Sequence, residues 1–153
     1  MNAKSLLEWA NNHNAKNETI QSFWECFNKW RKEDRKDYLD TFDGKLYNEF
    51  ITVEESEMYL KLRFGMEEAF IFYSINIYYL HEHIGTYDLE FFLNGEIADN
   101  YLDFDNSKSK ILKIKQSIRL ARNAIKEGIE LKAISNITGI NEGALQILKE
   151  KYC

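Results

Sequence analysis

The chain has 153 residues, of which 44% are hydrophobic and 14% aromatic, so it can bury the core of one compact domain and is not largely disordered. It has no apolar run approaching the roughly 20 residues that a membrane span needs, and its first residues lack the apolar stretch of a signal peptide. The net charge of −5 conceals a split, since residues 1–106 carry −11 and residues 107–153 carry +6.

The first hundred residues open with two predicted helices. Ser5 and Glu8 have the spacing of a capping box, which predicts a short helix starting at Leu6 and ending within residues 11–14. A longer helix is predicted from Glu18 to Asp40, capped by Asn17. It carries an aromatic stripe that we expect to belong to the core: Ile20, Phe23, Trp24, Phe27 and Trp30.

The middle of the chain predicts an antiparallel meander of about four strands. Apolar residues alternate from Met58 to Phe64, which is typical of a half-buried strand. Residues 70–80 are apolar on both faces and predict a central strand, with a buried helix as the alternative. Residues 87–93 and 96–104 flank Asn94-Gly95, a pair that favours a type I′ hairpin turn.

The last 47 residues predict a helical unit. Residues 108–127 form a helix with an isoleucine-rich stripe beside a basic stripe, and two short helices follow at 131–138 and 142–151. The predicted fold class is therefore α+β, with an acidic α+β region at 1–106 and a basic helical unit at 107–153 packed on it.

Residues 128–150 resemble a helix-turn-helix. Ala133 occupies the small position of the first helix, Gly139 and Ile140 lie in the turn, and Leu145 is apolar in the second helix. This segment is similar to the tails of transposases, resolvases and recombination-promoting nuclease-like proteins. The resemblance implies DNA binding by this unit, whereas the same pattern also suits a packing or homodimer-forming hairpin.

A DNA-binding regulator is the alternative function that these features support. The basic stripe and the second short helix would supply its contacts, which are Lys115, Arg119, Arg122, Lys126, Asn141, Gln146 and Lys149. Glu142 at the start of the second helix would repel phosphate.

The strongest functional pattern is an acidic hairpin. On a regular last strand, Asp99, Tyr101, Asp103 and Asp105 share one face, with carboxylates two residues apart separated by about 6.5–7 Å. Asp88, Glu90 and Glu96 are predicted nearby. This spacing is close to that of phosphates along a nucleic-acid strand, so the face suits a basic groove on a protein partner. An ordinary solvated hairpin face is the alternative.

Catalytic patterns are absent from the sequence. It has neither a glycine-rich phosphate loop nor a G-x-S-x-G elbow. His81 and His83 are two apart and would need a third ligand, such as Asp88 or His13, to hold zinc. The two cysteines, Cys26 and Cys153, indicate neither a disulfide framework nor a metal cluster. We therefore expect a non-enzyme without a metal or cofactor.

The sequence predicts a cytoplasmic binding protein without a membrane partner. Its 16 Ile, 15 Lys and 14 Asn indicate an AT-rich genome and favour a bacterial or phage source. The expected function is inhibition or modulation of a protein with a basic surface, such as a nucleic-acid-processing enzyme. Anti-CRISPR, anti-restriction and immunity proteins act in this way, by electrostatic and steric occlusion.

Overall fold

The computed structural model of the chain describes residues 1–104 and 107–153. Within them, the elements in chain order are α1 (Ala3–Asn12), α2 (Ala15–Glu33), α3 (Arg35–Phe42), a 3₁₀ turn (Asn48–Phe50), β1 (Ile51–Leu62), β2 (Ala69–Tyr79), β3 (Glu82–Phe92), β4 (Ile97–Asp103), α4 (Lys108–Lys126), α5 (Leu131–Thr138) and α6 (Glu142–Tyr152). This is the predicted α+β class, with helices before and after a four-stranded sheet.

The N-terminal helices start earlier than their sequence signals indicated. Asn2, not Ser5, caps α1, and the two residues exchange hydrogen bonds as a capping box. The predicted single helix from Glu18 to Asp40 is wrong at both ends and in the middle. It begins after Asn14, and Asp34 breaks it by leaving helical geometry and accepting a hydrogen bond from the Asp37 amide to start α3.

The sheet is an antiparallel meander in the order β1-β2-β3-β4, which confirms the predicted strand count and topology. β1 begins at Ile51, seven residues before the predicted start, and is an edge strand. β1 continues to Leu62, which confirms the predicted strand, but Leu60, Leu62 and Phe64 are exposed, so its predicted half-burial is wrong. The helices pack over β2 and β3 and leave this end of β1 uncovered.

Positive φ values occur at both central residues of the β2–β3 turn, but not at both central residues of the predicted β3–β4 turn. Gly95 has a φ of 90° but Asn94 does not lie in the left-handed region, so the β3–β4 hairpin is confirmed and its type I′ turn is not. Leu80 and His81 instead join β2 to β3, with φ values of 47° and 71°. Positive φ at both central residues is the requirement of a type I′ turn.

The core lies between one face of the sheet and the helices, and we call this the inner face. The inner side chains of β2 and β3 meet aromatic rings of α1 and α2, as in the Trp9–Phe91 and Phe23–Tyr87 contacts at 5.5 and 5.7 Å between ring centroids. The aromatic stripe of α2 belongs largely to this core, with Phe23 and Phe27 fully buried and Trp24 and Trp30 partly buried.

The C-terminal helices match their predicted positions within a residue or two. α4 directs Ile111, Ile114 and Ile118 into the same core and packs against α3 and β3, while α5 and α6 pack on α4. The predicted boundary between the acidic and basic regions lies after residue 106, and residues 105 and 106 lie outside the described residues.

Gly85 makes room for Phe104, whose ring stacks on Trp30 at 5.7 Å and meets Phe42 at 4.9 Å. A Cβ at Gly85 would overlap the carbonyl oxygen of Asp103 and lie 2.7 Å from the Phe104 ring. We expect Gly85→Ala to lower the free energy of unfolding by about 1–3 kcal/mol in urea titrations. Thr52→Ala, on exposed β1, is the control and should stay within about 0.5 kcal/mol of the wild type.

Candidate functional site

The sheet face opposite the helices, which we call the outer face, forms four cross-strand rows. Residues directly paired across antiparallel strands point to the same side of a sheet. From the pairing register, the rows are Glu54–Asn76–Thr86–Asp103, Glu57–Ser74–Asp88–Tyr101, Tyr59–Phe72–Glu90–Asp99 and Lys61–Phe70–Phe92. The outer face therefore combines an aromatic centre with six carboxylates.

Stacked rings form the centre of the outer face. Tyr59 lies parallel to Phe72 at 5.1 Å between centroids, and Tyr101 stacks on the other side of Phe72 at 6.0 Å. Phe72 is buried by these neighbours although no helix covers it, whereas Tyr59 and Tyr101 remain 37% and 43% exposed. The two tyrosines thus present ring area to a partner on a supported base.

Lys61 of β1 and Arg63, which follows β1, lie over phenylalanine rings of the outer face. The Lys61 ammonium is 5.0 Å from the Phe72 centroid, and the Arg63 guanidinium is 4.6 Å from that of Phe70. Both distances are within the range of cation–π attraction. The outer face already binds cationic side chains of its own chain in this way.

Glu90 is the one carboxylate of the outer face with full burial among the described residues, at 1% exposure. Arg63 Nη2 lies 2.9 Å from its Oε2, to which it donates a hydrogen bond, and 2.7 Å from its Oε1. Oε1 accepts no hydrogen bond from the described residues, since that close contact lacks hydrogen-bond geometry. The Tyr101 hydroxyl also donates to Oε2, at 2.9 Å, so Glu90 connects Arg63, which follows β1, to Tyr101 of β4.

The outer face has a strongly negative environment. Residues 51–103 contain eleven carboxylates and only two cations, Lys61 and Arg63. Partial burial raises the pKa of the Tyr59 hydroxyl, and the charges of Asp88, Glu57 and Glu90 raise it further. The hydrogen bond to Glu90 is the main cause that raises the pKa of Tyr101.

The structure brings most of the predicted acidic hairpin together on this face. Asp88, Glu90, Asp99, Tyr101 and Asp103 all lie in its rows. Glu96 does not, because it sits in the β3–β4 turn, where its amide donates to the Asn94 side chain. Asp105 lies outside the described residues.

Sequence reasoning missed the contribution of β1, which supplies Glu54, Glu57 and Tyr59. Glu57, Tyr59 and Lys61 alternate along β1, and this alternation could have predicted that they share a face. A bulge between Glu55 and Glu57 shifts the register, so the same alternation does not predict that Glu54 lies on that face.

Several members of the alternative DNA-binding set make contacts within the chain. Lys115 Nζ donates to the Asp43 carbonyl at 2.7 Å, and Arg122 Nη1 donates to the Tyr47 hydroxyl at 3.3 Å. Gln146 donates to Glu150 at 2.6 Å. Arg119, Lys126 and Lys149 are exposed, as are Asn141 and Gln146.

Both the oxygen and the nitrogen of the Asn141 side-chain amide form hydrogen bonds within the chain. Its Oδ1 accepts a hydrogen bond from the Ala144 amide at 2.8 Å and so caps α6. This orients Nδ2 toward His81 Nε2, 3.1 Å away, which acts as the acceptor. The contact joins the second short helix to the β2–β3 turn and uses the amide that would read a base edge.

The two neighbouring histidines do not form the strand pair that a zinc site would need. His81 lies in the turn, not on a strand, and His83 packs against the Tyr78 ring. His13, a suggested third ligand, stacks on Trp9 at 4.6 Å. In the part of the chain that the structure describes, no three His, Cys, Asp or Glu side chains are grouped to hold a metal ion. Across the same residues, no helix combines the length and apolar character required to cross a bilayer.

Comparison with family models, with curated proteins and with solved structures finds no match for this chain. The helix-turn-helix resemblance of residues 128–150 therefore stays a prediction.

The Arg63–Glu90 pair should dominate the stability of the outer face. We expect Arg63→Met to lower the free energy of unfolding by more than Lys61→Met does, because it leaves a buried carboxylate without its cation. Lys61→Met is the matched control, since Lys61 also covers a ring but forms no ion pair with Glu90. Urea denaturation measures both. Adding Glu90→Gln to Arg63→Met should recover part of the loss, and equal losses for Arg63→Met and Lys61→Met would contradict the assignment.

Glu49 anchors the end of α6 and should do so in a pH-dependent way. It accepts hydrogen bonds from Tyr152 at 2.6 Å and Lys151 at 3.0 Å, and chiefly the Tyr152 bond lowers the Glu49 pKa from 4.5 to about 2. A pKa lowered by folding stabilises the protein above pH 4.5, and this contribution is lost as the pH falls toward 2. Glu49→Gln should therefore lower Tm at neutral pH by an amount that shrinks below pH 4.5. Glu127→Gln is the control, and a Tm difference independent of pH would argue against the anchor.

Proposed function

We propose that this protein is a non-catalytic inhibitor or modulator that binds a basic surface of a protein partner through the outer face of its sheet. The observation that carries the proposal is the composition of that face, in which six carboxylates surround two exposed tyrosine rings. A nucleic-acid-processing enzyme is the partner class that this surface suits, as in anti-CRISPR and anti-restriction proteins, and a basic toxin suits it equally.

Charge complementarity supports this choice of partner. Lysine and arginine side chains that bind phosphates can pair with carboxylates of similar spacing, and their stems can pack on tyrosine rings. The contacts of Lys61 with Phe72 and of Arg63 with Phe70 and Glu90 illustrate both interactions within this chain. A partner arginine over Tyr101, beside Asp99, would repeat the same arrangement.

The separation of the charged regions also supports it. α4 meets the inner side of the sheet, and its cations Lys115 and Arg122 turn to Asp43 and Tyr47. The basic helix and the acidic rows therefore lie on opposite sides of the sheet. The negative field of the outer face stays directed at solvent, where it can steer a basic partner.

The first experiment measures binding to a fluorescent oligo-arginine peptide of about ten residues at ~50 mM salt. One variant combines Glu57→Gln, Asp88→Asn and Asp99→Asn on the outer face. The matched control removes the same charge from exposed helical positions, with Glu8→Gln, Glu33→Gln and Asp40→Asn. We expect about a tenfold or greater loss of affinity for the outer-face variant and less than about threefold for the control.

Two outcomes would overturn the proposal. Equal losses in the two variants, each with an unchanged Tm, would show that only net charge matters. Binding of the wild type to labelled random-sequence duplex DNA at ~50 mM salt, weakened ~10³–10⁵-fold at ~200 mM, would favour the DNA-binding alternative instead.

A further inference from the structure

A cavity of about 390 Å³ lies where three segments meet on the helical side of the sheet. The β2–β3 turn contributes Leu80 to Glu82, and the α5–α6 turn contributes Thr138 to Asn141. The third wall is one face of α4, with Lys110, Lys113, Ile114 and Ser117 at helical spacing. Its volume is in the range of small-molecule sites, and it shares no residue with the outer-face rows.

The polar groups of the cavity favour an anion. Lys110 and Lys113 lie on successive turns of α4, and neither forms an ion pair within the described residues. Lys110 Nζ donates to the His83 carbonyl at 3.1 Å, which places its ammonium at the rim of the β2–β3 turn. Glu82 is the one carboxylate among the described lining residues, so cations outnumber anions there.

The apolar part of the wall favours a ligand with an organic body. Leu80, Ile114 and Ile140 line the cavity together with the lysines. Ile140 and Ile114 are anchored in the core, and the Ser117 hydroxyl adds one small polar group. Charged groups that converge beside apolar side chains are a feature of sites for small organic ligands.

The turn that closes the cavity is held in an uncommon conformation. Leu80 and His81 both have positive φ, a region that non-glycine residues rarely adopt. The Leu80 amide donates to the Phe50 carbonyl at 3.0 Å, and His81 accepts from Asn141. These contacts maintain a turn whose two side chains form a cavity wall, and strained residues of this kind cluster at binding sites.

From this arrangement we infer a binding site for a small organic anion, one with a single phosphate or carboxylate group on an apolar body. Lys110 and Lys113 bind the anionic group, and Leu80, Ile114 and Ile140 contact the body. The site goes beyond the proposed function, since it lies on the helical side of the sheet.

The test titrates the full chain, labelled with ¹⁵N, with phenyl phosphate and with benzoate, and follows the amide shifts of residues 80–82, 117 and 139–141. Benzamide is the uncharged control ligand. We expect saturable shifts with a Kd of about 0.1–10 mM for at least one anion and none for benzamide. Which anion binds distinguishes a phosphate site from a carboxylate site.

Two variants separate charge from shape. Lys110→Gln with Lys113→Gln should weaken binding about tenfold or more, and Ser117→Leu should do the same by filling the cavity while both lysines remain. Arg119→Gln with Lys126→Gln removes the same charge from exposed positions of α4 outside the cavity and should leave Kd unchanged. Absence of saturable shifts, equal binding of benzamide, or equal losses in the two charge variants would overturn the inference. None of these results depends on the outer face.

Discussion

The inner face of the sheet is buried under α1, α2 and α4, and this burial fixes which side chains of each strand face the solvent. Because side chains alternate along a strand, the two neighbours of every residue that faces the helices point to the opposite face of the sheet. On β3, Leu89 is buried in the core and its neighbours Asp88 and Glu90 therefore lie outside. The outward position of Asp88 and Glu90 is thus a geometric consequence of the burial of Leu89.

The outer face has to be stable in water without a covering layer. Lys61 and Arg63, from the β1 edge of the sheet, lie over Phe72 and Phe70 and shield these rings from water. Arg63 also neutralises Glu90. The stacked rings and the Arg63–Glu90 ion pair hold these surface groups in place. A pre-ordered surface loses less conformational entropy on binding than a flexible one, which favours recognition by a rigid sheet face.

The C-terminal helices α5 and α6 are joined by a short turn and pack on α4. Gly139 ends α5 in the left-handed conformation that favours glycine, and Asn141 starts α6 two residues later. Both short helices then close on α4, and the polar end groups Asn141, Lys151 and Tyr152 contact the turn at His81 and the residue Glu49. The arrangement leaves a cavity beside the turn, lined by the basic face of α4.

The sequence is sufficient to predict the elements whose signals are local. The period of α4, the glycine that ends α5 and the Asn94-Gly95 hairpin each depend on residues within a few positions of one another. It also determined that Asp99, Tyr101 and Asp103 share one face, because alternation is a property of any regular strand.

Which face of the sheet is covered, and which side chains lie beside one another on the other face, depends on contacts between residues far apart in the chain. The Arg63–Glu90 pair spans 27 residues of sequence, and the bulge in β1 sets which of its glutamates join the outer face. The type I′ turn formed at Leu80-His81, a pair that does not favour it, because the pairing of β2 with β3 allows only two residues there. Long-range packing outweighs local preference at such positions, so no local pattern in the sequence could reveal them.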